Sequence, residues 1–170
     1  MAWEPALTER VLAELASHAA TIAVAESLTG GELIAELTRP AGASAVVVGG
    51  VVVYATELKH SLLGVGADLL ERHGPVHPDV AAQLADGVRN RLAVDGRDAD
   101  FGIATTGVAG PASQSGRAPG TVFVGISGSH RTRVVELALN GSRADIRRRT
   151  VETAVQELAA EIEWALGSME

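Results

Sequence analysis

The sequence predicts an α/β domain whose helices layer both faces of a mixed sheet, an α/β/α arrangement. Three observations predict it. Segments with helical spacing alternate with short apolar runs of strand character along the chain. The runs are rich in valine and alanine with little polar alternation, as strands covered on both faces are. The last two runs are separated by a Gly128-Ser129 turn and so pair antiparallel. At 170 residues the chain is expected to form one domain over residues 1–170.

The elements follow in order. Leu7, Val11, Leu12, Leu15 and Ala19 share one helical face, which predicts a helix over residues 5–20. Thr21 to Ala25 suits a buried strand. A Thr-Gly-Gly turn then opens a second helix through Leu33, Ile34 and Leu37, which Pro40 stops. Val46 to Tyr54, dense in β-branched valine, is the strongest strand candidate. A helix is expected from Thr56 to Leu63, ended by Gly64, with a turn or two over 67–73. Pro78 suits the first turn of a helix reaching about Leu92. Phe101 to Thr105 reads as a strand and Gly107 to Gly120 as a loop. Thr121–Ser127 and Arg133–Leu139 form the strand pair. A final helix begins near Ser142, with Val151, Ala154, Val155, Leu158, Ile162 and Leu166 on its apolar face.

Composition narrows the function. The net charge of −7 gives a long-range field of the wrong sign for nucleic acid or anionic lipid, so neither is an expected partner. Without cysteine there is no disulfide, thiol nucleophile or thiolate metal site. No apolar run reaches the roughly 20 residues of a membrane span, and the N-terminus does not read as a signal peptide; a cytoplasmic location is expected. Of 14 basic residues 13 are arginine, leaving Lys59 as the single lysine, five positions after the single tyrosine, Tyr54. Arginine does not lose its proton in a protein and lysine can. The bland alternative is a leftover lysine on a solvated face.

Four segments could carry chemistry, and sheets of this kind bind ligands beyond the carboxyl ends of their strands. In Ala25-Glu26-Ser27-Leu28-Thr29-Gly30-Gly31 a serine leaves a buried strand just before a helix, where it could act as a nucleophile beside backbone N–H donors, or merely cap the helix. In Tyr54-Ala55-Thr56-Glu57-Leu58-Lys59 the lysine could be the base for such a serine, with Tyr54 relaying a proton or stacking on a ring, or simply covering the core. His18 and His130 read as solvated, while His60, His73 and His77 lack metal-ligand spacing. Thr105-Thr106-Gly107-Val108-Ala109-Gly110-Pro111 offers hydroxyls and a close backbone approach. Gly141-Ser142-Arg143, leading to Arg147-Arg148-Arg149, offers a helix N-terminus with arginine, suited to phosphate or to a solvated basic face.

Taken together these segments resemble the CinA C-terminal domain family, the nicotinamide-nucleotide amidases. The likeness spans about residues 7–166 and includes Gly42-Ala43-Ser44, Gly50-Val51-Val52-Val53-Tyr54, Leu63-Gly64-Val65 and Pro119-Gly120-Thr121-Val122. It implies hydrolysis of the carboxamide of nicotinamide mononucleotide to nicotinate mononucleotide and ammonia. Ser27 is then the nucleophile, Lys59 its base and Tyr54 part of the same catalytic cluster. Thr29, Gly30, Gly31, Thr106, Gly107 and Arg143 are the expected substrate contacts, with the N–H groups near Gly30 and Gly31, and Thr106, around the oxyanion and Arg143 on the phosphate. No metal or cofactor is expected, and a homodimer is. In that family the domain also occurs fused to an N-terminal molybdopterin-binding-like domain, which 170 residues are too few to include.

This chain departs from the family's usual residues at Pro75 and His77, at Ala112-Ser113-Gln114, at Ala118 and at Ser142. These changes bear on the substrate more than on the fold. Three function classes fit: the nucleotide amidase, a Ser-Lys amidase for another amide, and a nucleotide-binding protein with little catalysis.

Overall fold

The computed structural model describes residues 6–167. Five strands, β1 (Ile22–Glu26), β2 (Val47–Val52), β3 (Phe101–Gly107), β4 (Thr121–Ser127) and β5 (Thr132–Ala138), form one sheet in the order β2-β1-β3-β4-β5. β1 runs parallel to both neighbours, while β3–β4 and β4–β5 are antiparallel, so the sheet is mixed. The antiparallel β3–β4 pair lay beyond the sequence reading, because residues 108–120 carry no short turn signal.

The six α-helices of the described residues are α1 (Ala6–Ser17), α2 (Glu32–Thr38), α3 (Thr56–Leu63), α4 (Ala67–His73), α5 (Pro78–Arg91) and α6 (Arg143–Gly167). The first helix stops before the expected residue 20. The amides of His18 and Ala20 both turn back to the Leu15 carbonyl, and Ala19 takes φ 52°. The start expected at residue 5 lies outside the described residues. β2 is shorter than the valine run: at Val53 the amide still donates to the Glu26 carbonyl, but the Val53 carbonyl accepts from Lys59 Nζ, and the chain turns into α3.

Alternation along the strands makes the two faces of the sheet unequal. Ile22, Val24, Ile103, Val122, Val124 and Ile126 point to one face and pack against α1, α2 and α6. Ala23, Ala25 and Ala104 point to the other, against α3 and α5. Glycine continues the small face. A Cβ at Gly102 would overlap the Ala85 carbonyl oxygen, and one at Gly125 the Ala81 carbonyl oxygen. Helix α5 therefore lies directly on the backbone of β3 and β4. Gly87 on α5 lets the end of α3 come equally close, since a Cβ there would overlap the Leu63 carbonyl. None of the helices in the described residues is long and apolar enough to cross a membrane.

Candidate active site

The carboxyl ends of β1 and β3, the start of α6 and the loop before α3 surround a cavity of about 210 Å³. Ser27, Tyr54, Lys59, Thr106, Gly107 and Arg143 all line it, along with Leu28, Pro75, Val76, Ala109, Gly110 and Gln114. No carboxylate lines it, and its two cationic side chains are Lys59 and Arg143. Six of the nine expected site residues are thus brought together.

Lys59 is on the inward face of α3 and has no exposed surface. Its Nζ lies 3.1 Å from Ser27 Oγ, 2.6 Å from the Val53 carbonyl oxygen and 3.4 Å from that of Tyr54. As an ammonium Lys59 donates to all three oxygens; as a neutral amine it keeps two N–H bonds to the carbonyls while its lone pair accepts from the Ser27 hydroxyl. Burial drives the Lys59 pKa down from 10.5 to about 8, and the Glu57 carboxylate opposes that fall only in part.

This depression has a sign that can be tested. In the unfolded chain lysine titrates near 10.4, so between about pH 8 and 10.5 the unfolded state binds more protons than the folded state. The penalty for a buried ammonium is therefore full below pH 8 and fades as pH rises. The wild type is expected to gain stability relative to Lys59→Met between pH 7.5 and pH 10 in urea unfolding; a constant difference would show that Lys59 titrates normally.

Ser27 sits where β1 ends, and its amide donates to the Thr105 carbonyl. The turn that follows is held from beneath by Glu26. This carboxylate is 1% exposed and accepts the amides of Gly31 and Leu33 at 3.0 Å and of Ile34 at 2.8 Å. It does for α2 what a capping side chain would, because Gly31 at the N-cap has none. Sequence reasoning passed over Glu26 as a functional position; a carboxylate closing a buried strand, directly before a helix, was the available signal.

The remaining expected contacts are placed differently. The Gly31 amide is taken by Glu26 and the Gly30 amide bonds the Ser27 carbonyl at 3.2 Å, so neither is free for an oxyanion. Thr29 is fully buried, sharing a 2.7 Å hydrogen bond with Thr105, and faces away from the cavity. Thr106 lines the cavity, but its hydroxyl donates to the Pro75 carbonyl at 2.7 Å, which leaves its oxygen as an acceptor only. Among the described residues, the cavity-lining donors without an internal partner include the amides of Leu28 and Ala109.

Arg143 spans the mouth. Its guanidinium donates to the Gly110 carbonyl at 3.0 Å and to Tyr54 Oη at 3.1 Å. Tyr54 is 60% exposed, so its ring is a rim rather than a core residue. Three guanidinium N–H groups remain for an anion. No group of His, Cys, Asp or Glu side chains suited to a metal ion occurs among the described residues. Gln114, one of the departures expected to bear on the substrate, lines the wall where residues 114–117 close into a turn; the amide of Arg117 donates to the Gln114 carbonyl at 2.8 Å.

Comparison with known proteins gives a consistent result. The family model for the CinA C-terminal domain matches residues 4–162. A CinA-like protein of Frankia casuarinae is 46% identical over 85% of this chain, which covers 32% of that protein. The chain spans about a third of the length of the curated relatives it matches. Two crystal structures superpose closely. The competence/damage inducible protein CihA from Agrobacterium tumefaciens has TM-score 0.84 at 34% identity, over 92% of this chain and 93% of that one. A CinA superfamily protein from Enterobacter cloacae has TM-score 0.87 at 26% identity, over 93% and 91%.

Proposed function

The chain belongs to the CinA C-terminal domain family, and from that membership and the Ser27–Lys59 pair we propose that it is a nicotinamide-nucleotide amidase. The observation that carries the proposal is the buried amine 3.1 Å from Ser27 Oγ, with two carbonyls placed to take its N–H bonds.

In the proposed reaction neutral Lys59 accepts the Ser27 proton as Oγ bonds to the carboxamide carbon. Negative charge gathers on the carboxamide oxygen, where the Leu28 and Ala109 amides are the donors at hand. Collapse of the adduct breaks the carbon–nitrogen bond, and the Lys59 proton leaves with the nitrogen as ammonia. Water, deprotonated by Lys59, then attacks the acyl-Ser27 ester. The carbon–Oγ bond breaks to release the carboxylic acid product, which ionises to the carboxylate, and Lys59 returns the proton to Ser27 Oγ. Desolvation supplies the low lysine pKa that this cycle needs at neutral pH.

A cavity of about 210 Å³ is smaller than the usual enclosure for a whole ligand and suits the aromatic amide alone. The ribose phosphate would then lie across the mouth, with its phosphate on Arg143 and its ring near Tyr54. Ammonia release from nicotinamide mononucleotide, nicotinamide riboside and free nicotinamide is the test. The mononucleotide is expected to be the best substrate, with kcat/KM rising through about pH 8 as Lys59 loses its proton. Turnover of a different amide would move the protein to another Ser-Lys amidase. Thermal stabilisation by the mononucleotide without ammonia would make it a binding protein.

A further inference from the structure

We infer that Arg147 is a positioning residue that clamps the nucleophile turn from the side opposite Glu26; this rests on the amidase reading. Arg147 lies one turn beyond Arg143 on α6 and does not line the cavity. Its Nη2 donates to the Thr29 carbonyl at 2.9 Å and pairs with Glu32 Oε1 at 2.8 Å. One guanidinium nitrogen thus ties the middle of the turn to the first residue of α2.

Two further features mark this contact as built. Gly30, at φ 60°, lies under the guanidinium, where even a Cβ would come within 3.3 Å of Nη2. A Cβ there would require the guanidinium to shift by a few tenths of an ångström, and the positive φ favours glycine independently. Arg147 Nε is buried without a hydrogen-bond partner, so the side chain accepts an unmet donor in order to reach Thr29.

The turn is therefore gripped by two opposite charges. Glu26 takes the Gly31 amide of the turn and two amides from the first turn of α2, and Arg147 takes the Thr29 carbonyl from the α6 side. Ser27 Oγ and the Leu28 amide are both carried by this turn. Without Arg147 the Thr29 carbonyl keeps only the 3.2 Å bond from the Glu32 amide, and the loosened peptide lets Oγ shift relative to Lys59 Nζ. Misplacement by about 1 Å costs on the order of 100-fold in rate.

The experiment compares wild type, Arg147→Met, Arg147→Lys and Glu32→Gln. Expected for Arg147→Met is a 10- to 100-fold fall in kcat at nearly constant KM. Amide hydrogen exchange over residues 28–31 should quicken, while exchange in β3 and β4 stays unchanged. Arg147→Lys, which can still reach Thr29, should recover most of the rate. If Arg147→Met does not fold, Glu32→Gln serves instead; loss of the carboxylate that steadies the guanidinium should lower kcat about 3- to 10-fold.

A wild-type kcat with wild-type exchange in a folded Arg147→Met or Glu32→Gln protein overturns the inference. So does a loss confined to KM, which would make Arg147 a substrate contact. Labelling of Ser27 by a fluorophosphonate separates this from failure of the amidase reading. If the wild type labels but releases no ammonia from any amide, the function is wrong, and slower labelling of Arg147→Met still supports the clamp.

Discussion

Ser27→Ala is expected to lower kcat/KM for ammonia release by at least about 10,000-fold while leaving the fold in place. The expected loss is this large because the hydroxyl forms the covalent bond and nothing else in the cavity can replace it. Its structural part is small: Lys59 keeps the Val53 and Tyr54 carbonyls, and Ser27 is 9% exposed, so stability should change by about 1 kcal/mol or less. Lys59→Arg should be nearly as inactive, because it retains a charge but cannot take a proton. The paired measurement is ammonia release alongside urea unfolding. Near-wild-type turnover by folded Ser27→Ala would end the covalent mechanism.

Gly125→Ala is expected to be among the most damaging single methyls outside the cavity, at about 3 kcal/mol. The new carbon would meet the Ala81 carbonyl oxygen, which belongs to the backbone of α5 and cannot rotate away. For a domain of this size that lowers the melting temperature by roughly 6 to 12 °C. Gly128→Ala is the control, since its nearest neighbour is the Phe101 ring edge at 3.4 Å and its effect should stay below about 1 kcal/mol. Calorimetry of the two variants decides the matter, and equal losses would mean that α5 can lift from the sheet.

The order of helices and strands was legible because hydrophobic period and turn residues are local properties. Thr56–Leu63 followed by Gly64 is a case in point: the helix ends where glycine takes φ 75°. The pairing of Ser27 with Lys59 was one option from residue type and from the placing of both segments beyond strand ends, and the resemblance singled it out, since 32 positions separate them and no spacing rule joins a strand end to another helix. Thr29, Gly30 and Gly31 show what was not legible. Residue type reveals a donor but not whether another group has already taken it, and Glu26 takes the Gly31 amide. Thr106 repeats the lesson, its proton being committed to Pro75. Arg147 read as one of three consecutive arginines; its contacts with Thr29 and Glu32 set it apart from Arg148, which pairs with Glu152 and Asp145 at the surface.

The contact between α5 and the bare strands also bears on how such a scaffold can diversify. A helix resting on glycine backbone has no side-chain cushion to thin or thicken, so its height above the sheet is not an adjustable quantity. Val76, just ahead of that helix, inherits the same fixity and lines the chamber on that side. The segment around Ala112 and Gln114 does not rest on the sheet in that way and meets the start of that wall where Ser115 fits against the bare Gly74. New ligand preferences in proteins of this build should therefore accumulate in that one segment, while the surfaces under α5 stay frozen.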